Sequence, residues 1–402
     1  MKRKKSNIPI MCSIVCFVLL TGMCFGNGNE GPVRIPFEIY DNYILIKIRI
    51  DNSPPLVFGF DTGAEGTFID SNSAKGLGFK SSADVAVIGA SGSSRASVIR
   101  GKDVKIGHLE MKNLTFYGIS LEKVGRGLGR RIDGFIGGDL LRNYPLKIDF
   151  DRKVIVVYSF VNFVYQGRGK AIDFRLGGNA MPLIPVELTL DGDEKITGVF
   201  GLDSGFSGAI MLNTQFVRRN RIASKVGKRV KLEYTGVSGM KSHSYSVRMK
   251  RIKVGTFDFR HVPAMLNQED SGTLAGKTDA GIIGNSILRR FDVIIDFRRW
   301  KVYLEPNSFY YKDFKVNCSG LRLALDSSHT RVLVSGIIEN SPAEKAGIKK
   351  RDEVVSLDGR PVKTMSLARI KESLMEEGRV VKITVLRRQV KQTFTLRLKK
   401  LI

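Results

Sequence analysis

The stretch VFGFDTGAEGTFID, Val57 to Asp70, decides the fold. An apolar run ends in an Asp on a Gly-rich turn, and a second apolar run begins at once. Alone, this reads as an ordinary strand, turn and strand, since Asp and Gly are common turn residues. Its meaning comes from a second copy. Val199 to Leu212 reads VFGLDSGFSGAIML and aligns without a gap, 203 − 61 = 142 residues further on. Val57, Phe58, Gly59, Asp61, Gly63 and Gly66 recur as Val199, Phe200, Gly201, Asp203, Gly205 and Gly208; Thr62 becomes Ser204, so a hydroxyl is kept.

The duplication extends outward. GFIGGDLLRNYPLKIDFDRKVIVVY from Gly134 answers to GIIGNSILRRFDVIIDFRRWKVYLE from Gly281, a spacing of 281 − 134 = 147. IGASGSS from Ile88 and TGVSGM from Thr235 keep that spacing at Gly89/Gly236 and Gly92/Gly239. Upstream, IKIRIDN from Ile46 and VELTLDG from Val186 both alternate apolar and polar residues, as half-buried strands do. Residues 32–160 and 170–306 are therefore two copies of one β-rich unit, with a period far longer than any solenoid repeat. Each copy is expected to end in a short helix, Asp139 to Arg142 and Asn285 to Arg290, and a strand pair. The fold expected is all-β: two pseudo-twofold lobes whose matching Asp loops put Asp61 and Asp203 side by side.

Length allows two or three domains. The chain opens MKRKK, continues with an apolar run from Ile8 to Phe25, then GNGNEG. That order describes a secretory signal peptide over residues 1–26 and an exported, periplasmic or surface protein. Retention as a membrane anchor, or a lipid on Cys24, are the alternatives. Cys12, Cys16 and Cys24 fall in this segment, leaving Cys318 alone and no internal disulfide framework. His108, His243, His261 and His329 lack metal-ligand spacing, and no cofactor is expected. The net charge of +26 keeps 26 − 4 = +22 after the basic start. Its densest clusters, Arg126 to Arg131 and Val217 to Lys231, lack the interleaved aromatics of a nucleic-acid platform. Solvated loops explain them, with an anionic surface as a further partner class.

Two facing carboxylates cannot both ionise, so they share one proton and hold a water between an acid and a base. Gly63 and Gly205 let backbone N–H groups reach the carboxylates, and Thr62 and Ser204 are placed to bond across the axis. With these motifs the sequence resembles the retropepsin-type aspartic peptidases, here as two fused units, over residues 32–306. The resemblance implies Asp61 and Asp203 as the catalytic pair, Thr62, Gly63, Ser204 and Gly205 as its support, and no cofactor. It implies flaps at Gly89, Ser91, Gly92, Gly236, Ser238 and Gly239. Glu65 sits where the family binds substrate main chain, with Ser207 as its counterpart.

After Pro306 the pattern changes to strands around two helical segments. SPAEKAGIKKRDEVVSLDG, from Ser341, with Pro at a first helical position and a Leu357-Asp358-Gly359 turn, resembles a PDZ domain over 316–402. The resemblance implies a small α+β barrel that takes a C-terminal peptide beside a strand, its carboxylate at the loop Gly320, Leu321, Arg322 and Leu323. Arg322 and Arg351 stand where that family usually has Gly, which leaves carboxylate capture open. The organisation expected is a signal peptide (1–26), lobes at 27–165 and 166–310, and the PDZ domain. The function expected is a monomeric, exported aspartic endopeptidase acting on peptides or unfolded protein. The alternative is a non-catalytic peptide-binding protein.

Overall fold

The structure is a computed structural model that describes residues 31–89, 92–161, 163–178, 180–235, 241–276 and 278–402. The expected signal segment and the flap residues Ser91, Gly236, Ser238 and Gly239 lie outside the described residues.

The two repeats form two eight-stranded sheets of the same topology. Across the first, the strands run Glu38–Tyr40, Tyr43–Ile50, Leu56–Phe60, Gly134–Ile136, Thr67–Asp70, Leu109–Ile119, Gly92–Ile106 and Ala83–Gly89. Across the second, the order is Arg175–Leu176, Pro182–Thr189, Lys195–Leu202, Gly281–Ile283, Ile210–Leu212, Phe257–Asn267, Lys241–Val254 and Val230–Thr235. In each, the strand before the Asp loop pairs in parallel with the strand of the G-F-I or G-I-I motif. The alternation read from the sequence is the burial pattern: in Tyr43–Ile50, Ile44, Ile46, Ile48 and Ile50 are buried while Lys47 and Arg49 face out. Phe58 and Phe200, matched in the repeat, are both fully buried and meet Phe116 and Phe216 edge-on at 6.4 and 5.8 Å.

A six-stranded sheet joins the lobes, in the order Val33–Pro36, Val154–Val157, Leu146–Asp149, Phe291–Asp296, Lys301–Pro306 and Ala171–Asp173. At its centre Leu146 pairs with Ile295, Lys147 with Ile294 and Ile148 with Val293. Since 147 + 147 = 294, Lys147 faces its own repeat partner, and the pseudo-twofold axis passes between them. The expected short helices are there, as Gly138–Leu141 and Asn285–Leu288. The second stops before Arg290, whose guanidinium turns to the carbonyls of Phe309 and Tyr310.

The last unit has its own core, which includes Leu323, Val334, Ile370 and Val381. Its sheet runs Leu321–Leu325, Val332–Ile337, Glu353–Leu357, Val380–Arg387 and Val390–Arg397, so Leu321–Leu325 is an edge strand. Ser341 caps the helix Pro342–Lys345 by accepting the Glu344 N–H at 3.3 Å. The second helix is Leu367–Ser373. Arg351 keeps the left-handed backbone, φ 75°, that the PDZ family's Gly would adopt without strain. Among the described residues no helix is long and apolar enough to cross a membrane.

Candidate active site at the lobe junction

Asp61 and Asp203 each follow the last residue of a buried strand, Phe60 and Leu202. Their backbone N–H groups donate to Ile136 O and Ile283 O, both at 2.9 Å, which holds each loop against the neighbouring parallel strand. Gly137 lets that strand continue past the loop. A Cβ there would lie 2.0 Å from the Asp61 carbonyl oxygen.

The structure brings the two aspartates together. Their carboxyls hydrogen-bond to each other. Each glycine two residues on serves both sides. Gly63 N–H donates to Asp61 Oδ1 at 2.9 Å and Gly205 N–H to Asp203 Oδ1 at 2.8 Å. A Cβ on Gly205 would sit 2.4 Å from Asp61 Cγ, and one on Gly63 2.7 Å from Asp203 Cγ. Only a residue without a side chain admits this approach.

Behind the carboxyls, Thr62 and Ser204 are buried and bonded across the axis. Thr62 N–H donates to Ser204 Oγ at 3.0 Å and Ser204 N–H to Thr62 Oγ1 at 2.9 Å. The hydroxyls then donate onward, Thr62 to Leu202 O at 2.6 Å and Ser204 to Phe60 O at 2.8 Å. Two bonds thus join the loops to each other, and two tie the last strand residue of each lobe to the loop of the other.

Burial raises both carboxyls above the ordinary range, while backbone N–H bonds oppose the shift. Asp203 is raised much further, because the Asp61 charge and the bond to Asp61 add to burial. The pair therefore keeps one proton at a pH where an isolated carboxyl would have released it. Both residues keep partial exposure.

Gly89 and Gly92 close the hairpin of Ala83–Gly89 and Gly92–Ile106, beside Ile88, an apolar side chain left 68% exposed. Glu65 is exposed, and its carbonyl accepts from the Arg142 guanidinium. Its counterpart Ser207 is used internally. The Ser207 carbonyl accepts from Asn42 Nδ2 and from Ser286 Oγ, the latter at 3.0 Å, and its side chain bonds to Tyr43.

Sequence reasoning missed this last group. Asp41 and Asn42, at φ 48° and 66°, form the two-residue turn between Glu38–Tyr40 and Tyr43–Ile50. An Asx pair between alternating runs was the available signal. Asn285 Nδ2 donates to both Asn42 O at 2.9 Å and Ser204 O at 2.7 Å, so the turn of lobe one stands on the Asp loop of lobe two. Tyr43 follows, with its hydroxyl pushed up to about 12 by burial and further by Asp41, Asp203 and Asp61. Phe206 replaces Ala64 of the first repeat, its ring lying over Gly208 and Gly284, which makes the two sides of the junction unequal.

In the PDZ domain, the residues of the expected carboxylate loop are differently disposed. Leu321 and Leu323 are buried in the core, and Arg322 lies on the other side of the strand, against Gly336. The Glu233 carboxylate of lobe two is near enough to act on its charge. Two of the loop's own donors, the N–H groups of Gly320 and Leu321, are already used. Asn317 Oδ1 accepts the N–H of Ser319 at 2.9 Å and of Gly320 at 3.0 Å, and Ser319 Oγ accepts the N–H of Leu321 at 3.0 Å. The basic cluster Arg126 to Arg131 is also engaged within the chain. Arg130 pairs with Glu38 at 2.8 Å, and Arg131 bonds Ser73 Oγ at 3.2 Å.

Comparison with known proteins agrees with this architecture. Residues 46–140 and 186–287 match the family model described as aspartyl protease, and residues 319–398 match that of the PDZ domain. Among solved structures the chain is similar to the crystal structure of an aspartic proteinase from Irpex lacteus. The identity is 11% and the TM-score 0.46, over 70% of this chain and 99% of that one. No curated protein matches the sequence. The two family matches make both lobes aspartyl-protease-like and the last unit a PDZ domain.

Proposed function

We propose that the protein is an exported aspartic endopeptidase, with Asp61 and Asp203 as its catalytic pair. The observation that carries this reading is the meeting of the two Asp loops, each glycine bonded to one carboxyl and packed against the other. In this reading Asp203, raised further by burial and by its neighbour's charge, is the protonated partner and Asp61 the ionised one. A water between them loses a proton to Asp61 as its oxygen attacks the peptide carbonyl carbon. Asp203 gives its proton to the carbonyl oxygen, forming a neutral tetrahedral diol. Asp61 then protonates the leaving nitrogen, the C–N bond breaks, and a diol proton returns to Asp203. No covalent intermediate or metal enters the cycle.

Rigidity supports the assignment. The Thr62–Ser204 bonds fix the loops so that little reorganisation accompanies each proton transfer. The hairpin carrying Gly89 and Gly92 would cover an extended peptide, and Glu65 would bind its main chain from lobe one only. Export rests on the basic start and apolar run within residues 1–26.

The test is digestion of a denatured protein by residues 27–402 from acid to neutral pH, with and without pepstatin. Cleavage that pepstatin abolishes is the expected outcome. Tight pepstatin binding without cleavage would make the protein a peptide binder.

A further inference from the structure

The PDZ domain is not presented as an open reader. Asp326 N–H donates to Arg331 O, so in this antiparallel register the Leu325 carbonyl points away from Val332–Ile337, toward the free edge. A peptide added as a strand would bond there. Arg126 of lobe one occupies that position, its Nε donating to Leu325 O at 2.9 Å. The opposite wall of the groove, the helix Leu367–Ser373, is engaged by the same segment. Gly129 packs so close to Leu367 that a Cβ on it would lie 2.3 Å from Leu367 Cβ. Lys371 Nζ donates to Gly127 O at 2.7 Å. Of the loop donors, the N–H groups of Gly320 and Leu321 are held by Asn317 and Ser319.

Lys371 makes one more contact. It forms an ion pair with Asp41 at 2.5 Å, with both side chains about three-quarters buried. Asp41 precedes Asn42, whose carbonyl and side chain rest on Asn285, Ser286 and Ser207 of lobe two. The groove helix, the turn at Asp41 and the loop after Asp203 are thus in unbroken contact.

We propose that the PDZ groove is a docking surface for the chain's own segment Leu121 to Arg130, and that through Lys371 and Asp41 it braces the turn that stands on the Asp203 loop. The partner it fits is internal: a short glycine-rich helix end, with an arginine replacing the peptide strand and a carboxylate pairing with the groove lysine. The docking claim stands on contacts alone. Its consequence for turnover rests on the peptidase reading.

The experiment is hydrogen exchange, followed by mass spectrometry, on wild type, Lys371→Ala, Asp41→Asn and the double variant. In Lys371→Ala, residues 121–130 and 40–43 are expected to exchange about tenfold faster, the weight of one charge-assisted bond. Strand Val380–Arg387, in the PDZ core, is expected to keep its protection. Asp41→Asn keeps a residue type suited to the turn and removes the charge. It is expected to loosen 40–43 as Lys371→Ala does, and the double variant no further at that turn. Wild-type exchange at 121–130 and 40–43 in Lys371→Ala overturns the proposal, as do additive effects in the double variant. Exchange needs no turnover, so an inactive protein would sink the peptidase reading and leave this result standing.

Discussion

Thr62 and Ser204, 142 residues apart, each accept the other's backbone N–H into their own hydroxyl, at 2.9 and 3.0 Å. The reciprocity means that neither loop is complete alone. Removing one hydroxyl strands a buried N–H and a carbonyl, both on the opposite lobe.

Thr62→Val is therefore expected to cost about 3 kcal/mol, since it leaves buried polar groups unpaired rather than merely losing one bond. Ser204→Ala is expected to cost a similar amount, and the pair less than the sum because they share partners. Thr62→Ser should lie near wild type. Urea denaturation of wild type and the four variants measures this; strictly additive losses would mean the two hydroxyls act independently.

The Asp203 carboxyl is raised well above its ordinary value by burial and by Asp61. The folded protein therefore holds a proton that the unfolded chain has already released as pH climbs. The linked stabilisation is full below the ordinary carboxylate range and is lost as pH rises through the folded value. Asp203→Asn keeps a neutral side chain at every pH. Its melting temperature is expected to match wild type in acid and exceed it at neutral pH, the gap widening with pH. A gap independent of pH would contradict the assignment of the shared proton to Asp203.

Arg351 holds φ 75° on the surface of the PDZ domain. A side chain there costs about 1 kcal/mol relative to glycine, from the contact of Cβ with the backbone. Arg351→Gly should stabilise the full chain against denaturant by that amount. Destabilisation would show that the arginine makes a contact worth more than the strain.

Tyr43 bonds to Ser207 beside the two aspartates, with its hydroxyl pushed up to about 12. It stays neutral wherever the pair is singly protonated. Tyr43→Phe is expected to lower stability by about 1 kcal/mol and leave both limbs of the pH–rate profile in place. A displaced alkaline limb would mean that the phenol takes part in proton transfer.

The lobes were legible because each repeat carries its constraints locally: an apolar strand, an Asp turn, glycines where backbones touch. Asp61, Thr62, Gly63 and their counterparts could be named from that pattern alone. The change of spacing from 142 to 147 was legible too. Its 147 − 142 = 5 extra residues fall between Gly208 and Gly236, a span that holds the helix Thr214–Arg219 and the turn Ile222–Ser224. What was not legible depends on surfaces meeting across long separations. Asn42 and Asn285 lie 243 residues apart, and Lys371 and Asp41 330. Neither pair sits in a periodic pattern, so no spacing announces them. The basic run at Arg126 reads as a solvated loop until the groove that takes Arg126 is built. Asn317, two residues before Ser319, carries no sign in sequence that its amide oxygen fills the carboxylate loop.

The most direct measurement is a peptide-library digest by residues 27–402, run from acid to neutral pH beside Asp61→Asn and Asp203→Asn. The account expects cleavage by the wild-type chain, with each variant reduced at least about a thousandfold while keeping its fold, because one carboxyl cannot take the water's proton and give one to the carbonyl oxygen in the same step. Turnover by either variant at the wild-type rate would contradict it.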